Sequence, residues 1–151
     1  RGAVPGRVIL QTYNPNHFAI LSATQQDFQT FYHQEIRFRK SLNYPPFSRM
    51  VQLRMSGKDR EKTRHHAQVI GDFCHALKKN NRSFLKSVEI LGPIEASLPK
   101  IAKLYRWQIL LKCTSIKQLH RFIHHIWFEK KSIIGVRDVK VVLDVDPFFM
   151  M

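Results

Sequence analysis

Two hydrophobic periodicities alternate in a fixed order along residues 51–145, and this order constrains the fold more than any other feature of the chain. Alternate residues are apolar over 51–55 and again over 139–145, as is typical of strands with one buried face. Two further strands are predicted at Val88–Leu91, which Gly92-Pro93 closes, and at Tyr105–Cys113.

Two helical patterns lie between these strands. Asp59 can cap a helix that ends at Asn80-Asn81, and Ser115 with Gln118 forms a possible capping box before a second apolar helical stripe. The order β-α-β-β-α-β predicts an α+β, ferredoxin-like domain with an antiparallel sheet and two helices on one face. The other sheet face should be free, and it should carry the polar residues Gln52, Arg54, Arg106, Gln108, Lys112, Lys140, Asp144 and Asp146.

The first 46 residues form a separate region in this prediction. Val8–Leu10 is expected to be a short strand that Asn14-Pro15 ends, and it would need neighbouring strands from a larger fold. Ser22 and Gln25 resemble a capping box for a helix that reaches about Leu42. The double proline of Tyr44–Phe47 cannot continue that helix, so a stiff extended joint is predicted there.

Charge restricts the class of partner. The chain has 25 Lys and Arg against 11 Asp and Glu, a net charge of +14, which favours a polyanion such as nucleic acid. A solvated basic surface or a ribosome-like structural role is the alternative, and composition does not choose among DNA, RNA and an acidic peptide. Two distant cysteines predict neither a disulfide nor a zinc site, and the histidines lack the partners of a metal site.

The chain contains neither a run of about 18 apolar residues nor a secretion signal, so no membrane association is expected. A reducing, cytoplasmic compartment fits this composition best.

Three segments together resemble the C-terminal end of the primosomal protein N′ family, the bacterial replication-restart DNA helicases. They are Pro5–His17, Tyr44–Phe47 and Leu143–Pro147. The resemblance runs nearly end to end, and it implies a ribosomal S10-like, ferredoxin-like domain at residues 47–151. It further implies the end of the second, RecA-like helicase lobe at residues 1–21, and a connecting helix with a Pro-Pro joint at residues 22–46.

The resemblance implies an ATP-dependent 3′–5′ DNA helicase that recognises stalled forks and initiates primosome assembly. Such a protein uses ATP, Mg²⁺ and Zn²⁺, but the chain lacks a G-x-x-x-x-G-K-[ST] loop and the zinc-binding cysteines. No cofactor is therefore expected in this chain, which should be inactive as an ATPase by itself. Arg1 is the one candidate catalytic residue, as the remnant of an arginine motif that points at the ATP phosphates.

A partner-binding site is predicted at residues 103–108. In the family, an R-x-R-W-Q pattern implies contacts to DNA and to the acidic C-terminal tail of single-stranded-DNA-binding protein. Arg106, Trp107 and Gln108 match this pattern, whereas Leu104 replaces its first arginine and leaves Lys103 as the substitute. Lysine does not reproduce the planar, bidentate fork of arginine, so this replacement affects the predicted carboxylate contact.

An alternative buries Trp107, because it shares the strand parity of Ile109 and Leu111. Binding would then depend on Arg106 and Gln108. The residues predicted to contact forked or single-stranded DNA are Arg37, Arg39, Lys40, Arg49, Arg54, Lys100, Lys103 and Arg106. For the cluster on the first helix, a solvated helix face is the alternative.

Asp144 and Asp146 lie on one side of the last strand, but nearby segments supply no further carboxylates for a metal site. Asp144 is instead predicted to face Arg54 or Arg49 on the neighbouring first strand. A second function also stays open, that of a stand-alone RNA-binding or ribosomal S10-type structural module. Tyr105–Ile109 lacks the glycines and the aromatic spacing of an RRM strand, which disfavours this alternative.

Overall fold

A computed structural model describes residues 6–147, and the chain divides into two compact units, residues 1–38 and 39–151. The helices α1 (Phe18–Thr24) and α2 (Phe28–Ser41) come first. The remaining elements are β1 (Arg49–Gly57), α3 (Arg60–Asn80), α4 (Arg82–Leu85), β2 (Val88–Ile101), β3 (Leu104–Cys113), α5 (Ile116–His124), a π-helical turn (His125–Glu129), α6 (Lys131–Ile134) and β4 (Val139–Val145). The domain boundaries predicted after residues 21 and 46 divide the chain into parts of a larger helicase. That division stays a prediction.

The sheet has four antiparallel strands in the order β2-β3-β1-β4. In the register of β1, Ser56 lies opposite Arg106 of β3 on one side and opposite Lys140 of β4 on the other. The class is therefore α+β, as predicted, and β1 and β3 are the central strands.

The core lies between one face of the sheet and the helices. Leu53 and Met55 of β1 and Ile109 of β3 are fully buried there, in one cluster with Ile70 of α3 and Phe122 of α5. The alternation predicted for β1 and β3 is confirmed, because these residues share one strand parity. The opposite sheet face, called here the second face, carries Arg54, Ser56, Arg106 and Gln108.

Two predicted helix caps are confirmed. The Asp59 carboxylate accepts a hydrogen bond from the Lys62 amide at 2.9 Å, at the start of α3. The Ser115 hydroxyl accepts one from the Gln118 amide at 3.4 Å, at the start of α5. Each satisfies an amide that the first turn of a helix leaves without a partner.

The predicted end of a strand at Gly92-Pro93 is wrong, since β2 continues from Val88 to Ile101. A register shift between Leu91 and Ile94 accommodates the two residues. Gly92 has φ of +99°, which favours glycine, and a Cβ there would lie 2.8 Å from the Gln108 carbonyl oxygen. β2 is an edge strand, where a proline costs no ladder hydrogen bond on its solvent side.

The single helix predicted from Ser22 to Leu42 is also wrong. α1 ends at Thr24, Gln26 has φ of +55°, and α2 begins anew at Phe28. The cap of α2 is Asp27, whose carboxylate accepts a hydrogen bond from the Thr30 amide at 3.0 Å and has a lowered pKa because of its bonds to Thr30. Ser22 lies inside α1, so it is not a cap.

The strand predicted at Val8–Leu10 is not formed. This segment has no regular secondary structure, and Val8 and Ile9 are 88% and 90% exposed. No strand among residues 6–147 pairs with it, and an apolar segment without a partner leaves its backbone groups to water.

The extended joint predicted at Tyr44–Phe47 is wrong as well, because these residues form a turn. The Phe47 amide donates to the Tyr44 carbonyl oxygen at 3.0 Å, and the Pro45–Pro46 peptide bond is cis. This is the arrangement of a type VI turn, in which a cis proline occupies the third position. The prediction of an extended joint assumed that the proline pair would be trans.

Candidate nucleic-acid interface

The cations of the second face fall into two groups, of which the first is paired. Arg54 lies 3.3 Å from Asp144, and Arg49 lies 3.6 Å from Asp146. The prediction that Asp144 faces Arg54 across the neighbouring strand is confirmed. Arg54 lies on the second face, whereas Arg49, at the start of β1, has the strand parity of the core residues. We call the part of the sheet that holds these two pairs the paired end.

Lys112 extends the paired end and is almost completely buried. Its ammonium group lies 2.9 Å from a carboxylate oxygen of Glu89, donates to the Leu42 carbonyl oxygen at 3.0 Å and lies 5.0 Å from the centre of the Tyr44 ring. The expectation that Lys112 and Gln52 line a free face is wrong, since they are 6% and 1% exposed. Residues 42–44 account for the covering of Lys112, and the Gln52 amide donates to Gln108 at 2.7 Å.

The second group of cations lies where β1 ends and where β3 and β4 begin. Arg106 and Lys140 flank Ser56 in adjacent strands, and Lys103 is exposed at the start of β3. Within residues 6–147 these three cations take part in no ion pair. We call Lys103, Arg106, Ser56 and Lys140 the unpaired end; sequence analysis had placed Lys140 on this face without assigning it to DNA.

Lys103 occupies the tip of the β2–β3 hairpin in an unfavourable backbone conformation. Ile101 pairs with Leu104, so that Ala102 and Lys103 form a two-residue loop, with φ of +49° and +65°. Such loops favour Asn-Gly, because positive φ costs energy for residues with a Cβ. Lys100 beside the loop donates to the Tyr105 hydroxyl at 3.2 Å. A strained lysine at an exposed tip is consistent with a role in binding.

Replacing Ala102-Lys103 by Asn-Gly is expected to stabilise the chain by about 1 kcal/mol, because both residues then suit the loop. The same change should weaken DNA binding several-fold if Lys103 contacts phosphate. Thermal denaturation and fluorescence anisotropy measure the two effects. Ala102→Asn alone keeps the lysine and is the control; equal DNA affinity of the two variants would remove Lys103 from the interface.

Asp144→Lys separates structure from binding at the paired end. The change places a second cation beside Arg54, so we expect a loss of about 1 kcal/mol in unfolding free energy for this half-exposed pair. DNA affinity should not fall, because the change adds positive charge to the second face. A variant that keeps its melting temperature but loses DNA binding would make Asp144 a functional carboxylate.

Trp107 does not reach the second face. It lies opposite Met55 in the core and is 6% exposed, as the alternative interpretation expected. Its neighbours Arg106 and Gln108 do lie on the second face and are partly exposed. The predicted contact of Trp107 with a partner would require the core to open.

Three further residues predicted to contact DNA lie on α2. Arg37 and Lys40 are exposed on α2, and Arg39 donates to the Pro45 carbonyl oxygen at 3.2 Å. Arg37 belongs to the first compact unit, whereas Arg39 and Lys40 belong to the second. Arg1 lies outside the described residues, so its predicted role stays a prediction.

Residues 6–147 contain neither a metal-binding cluster nor a membrane-spanning helix. Among residues 6–147, no three side chains of His, Cys, Asp or Glu come together so that they could hold a metal ion. In that range, every helix is too short or too polar to cross a bilayer. Burial raises the pKa of Cys74 to about 12, so this thiol is protonated at neutral pH.

The fold and this surface define a class, that of α+β domains with a basic sheet face. The chain belongs to the primosomal protein N C-terminal domain family, whose profile matches residues 40–148. It is 38% identical to the replication restart protein PriA of Synechocystis sp., over 97% of this chain and 16% of that protein.

Two further relatives agree with this assignment. The PriA proteins of Bacillus subtilis and Borreliella burgdorferi are 32% and 33% identical, over 97% and 95% of this chain and 18% and 20% of their own lengths. The chain thus spans about a fifth or less of these relatives. Among solved structures, the de novo designed protein Foldit4 has a TM-score of 0.42 at 18% identity, over 64% of this chain and 96% of that one.

Proposed function

We propose that this chain is the C-terminal part of an ATP-dependent 3′–5′ DNA helicase that recognises stalled replication forks and initiates primosome assembly. The family membership and the printed names of its relatives, replication restart proteins, support this proposal. Among residues 6–147 no cluster of side chains fits a zinc site, and the sequence contains no G-x-x-x-x-G-K-[ST] loop. ATP, Mg²⁺ and Zn²⁺ would therefore bind to other parts of the helicase, and this chain alone would not hydrolyse ATP.

The domain is proposed to be ferredoxin-like, of the ribosomal S10 type. The strand order supports this assignment, because β3 lies between β1 and β2, and β1 lies between β3 and β4. Each β-α-β unit is therefore split by a strand of the other unit, which is the defining feature of this plan. A split arrangement leaves one sheet face without helices, where a ligand can bind.

Within that protein, this domain is proposed to bind forked and single-stranded DNA with the unpaired end of its second face. One observation carries this proposal: Arg106 and Lys140 are uncompensated on the two strands that flank β1, whereas Arg49 and Arg54 already have carboxylate partners. A cation without a carboxylate partner is free to neutralise phosphate and release counterions. The predicted DNA contacts of Arg49 and Arg54 are correspondingly weaker than that of Arg106.

The acidic C-terminal tail of single-stranded-DNA-binding protein is the second proposed partner. Arg106 can offer a bidentate fork to its carboxylates, and Lys103 and Gln108 lie on the same strand or at its start. The burial of Trp107 supports a tail site made of polar contacts on the second face rather than of the indole.

The test is binding of the 151-residue chain to fluorescein-labelled forked and single-stranded DNA, measured by anisotropy over a salt series. The logarithm of the affinity should fall with the logarithm of the salt concentration by about 0.7–0.9 per phosphate contact. Arg106→Gln should weaken binding about fivefold and reduce this slope by about one contact.

Arg54→Gln is the matched control, because it removes the same charge from the same face but from a cation that already has a partner. It should change the affinity no more than about twofold. Equal losses in both variants would assign binding to overall charge rather than to the unpaired end. A salt-insensitive interaction would contradict phosphate recognition, and a clear preference for RNA would favour the stand-alone RNA-binding function.

A further inference from the structure

A cavity of about 550 Å³ opens beside the unpaired end, where the loops β1–α3 and α6–β4 meet. Its lining includes Ser56, Lys58, Lys62, Arg137, Asp138 and Lys140. The antiparallel register explains why they meet, since Gly57 at the end of β1 lies opposite Val139 at the start of β4. The residue after β1 and the residues before β4 therefore share one end of the sheet.

Carboxylates compensate only part of the charge in this cavity. The Asp59 carboxylate caps α3, and Asp138 lies 3.5 Å from the Lys62 ammonium group. Lys58 and Arg137 are exposed and form no ion pair within residues 6–147. The cavity thus holds two cations that are free for an anion, besides Lys140.

The cavity is continuous with the second face. Ser56 and Lys140 line the cavity and also belong to the row that ends in Arg106. Neighbouring strands are about 4.8 Å apart, so Arg106 and Lys140 are separated by about 10 Å across this row. A flexible, single-stranded backbone that passes Arg106 can reach the cavity without leaving a cationic surface.

We infer that this cavity is a phosphate site for single-stranded DNA, in which Lys58 and Arg137 bind the backbone as the strand leaves the second face at Lys140. The inference rests on the proposed DNA binding of this domain and adds two residues that are not in its predicted site. Loop lysines and arginines without carboxylate partners, in a cavity large enough for a nucleotide, suit phosphate and ribose rather than a specific base.

The test compares three forms of the 151-residue chain: wild type, Lys58→Gln/Arg137→Gln, and a control, Lys79→Gln/Lys117→Gln. The control removes the same charge from two exposed lysines of α3 and α5 that lie outside the cavity. Binding to labelled oligothymidine of about 15 nucleotides is measured by anisotropy at several salt concentrations. Circular dichroism melting checks that all three forms are folded.

The cavity variant should bind roughly tenfold more weakly than wild type, and its salt slope should be smaller by about 1.4, or two single-strand contacts. The control should lose no more than about twofold and keep the slope of wild type. Equal behaviour of the two variants, while wild type binds, would overturn the cavity inference and leave the proposed function intact.

Two other outcomes have distinct meanings. If wild type fails to bind any DNA, the proposed function itself falls and the inference falls with it. If a polyglutamate peptide of equal charge displaces the oligonucleotide at equal concentration, and the cavity variant loses peptide and DNA alike, the cavity is a general anion site and the nucleic-acid assignment is overturned.

Discussion

Glu89→Ala is expected to lower the free energy of unfolding by about 2 kcal/mol, a large effect for one half-exposed carboxylate. The reason is Lys112, whose side chain is 7% exposed and whose ammonium group lies 2.9 Å from Glu89. Removal of Glu89 leaves this charge buried with only the Leu42 carbonyl oxygen as a close polar partner. A buried ion that loses its partner costs more than the pair contributes, because its desolvation is no longer offset.

The chain offers a matched control in Glu61→Ala. Glu61 lies 2.9 Å from Arg64, the same distance, but both side chains of that pair are about two-thirds exposed (67% and 64%). We expect a loss of about 0.5 kcal/mol for this exposed pair at the start of a helix. Urea denaturation measures both variants, and equal losses would show that Lys112 is not held in a dry environment.

A double substitution tests the cause. Lys112→Met removes the buried charge and keeps most of the volume, so the change Glu89→Ala should cost almost nothing in that background. If Glu89→Ala cost 2 kcal/mol there too, packing rather than charge would explain its effect.

Gly71→Ala is expected to destabilise the chain by about 1–3 kcal/mol, although alanine is the better helix former. Gly71 lies within α3, and a Cβ there would lie 2.6 Å from Cδ and 3.0 Å from Cγ of Pro93 in β2. A proline ring has no rotamer with which to move away, so α3 would have to shift from the sheet. The sign of the effect is therefore the test.

His75→Ala, at an exposed position of the same helix, is the control for helix propensity and should be neutral or slightly stabilising. Thermal denaturation of both variants gives the comparison. Gly71→Ala with a raised melting temperature would mean that α3 and β2 are not in close contact at Pro93.

Local chemistry explains which parts of the fold were predicted correctly. Asp59 and Ser115 predict where α3 and α5 begin, because an N-cap side chain accepts a hydrogen bond from an amide only two or three residues away. The alternation of β1 likewise predicts which of its apolar residues face the core, namely Val51, Leu53 and Met55. Ser22 has the spacing of a capping box but lies inside α1, and the residue that caps α2 is Asp27, five residues later.

The errors have non-local causes. A Gly-Pro pair would interrupt a strand in the centre of a sheet, but Gly92-Pro93 is accommodated because β2 is an edge strand. The position of β2 at the edge follows from the sheet order and not from the local sequence. Lys112 has the parity of a solvent-facing residue, and its burial follows from residues 42–44, some 70 positions away. Val8–Leu10 has strand composition without a strand to pair with among residues 6–147.

The candidate site was predicted in part. The predicted sheet order was enough to place Asp144 near Arg54 or Arg49; the structure pairs it with Arg54, and this pairing divides the second face. Lys58 and Arg137 are not among the residues predicted to contact DNA, because each is an isolated cation in a loop and belongs to no motif. Their positions in the sequence do predict that they lie close together. Lys58 directly follows the end of β1, and Arg137 lies two residues before the start of β4; in an antiparallel pair, the end of one strand lies beside the start of the other.

The central claim is that DNA binds where the cations of the second face lack carboxylate partners. Backbone amide chemical shifts of the ¹⁵N-labelled chain, titrated with oligothymidine, test it directly. We expect the largest shift changes at residues 56–58, 103–106 and 137–140, with little change at Arg49, Lys112 and Asp146. Changes concentrated at the paired end, or on the exposed faces of α3 and α5, would contradict the claim.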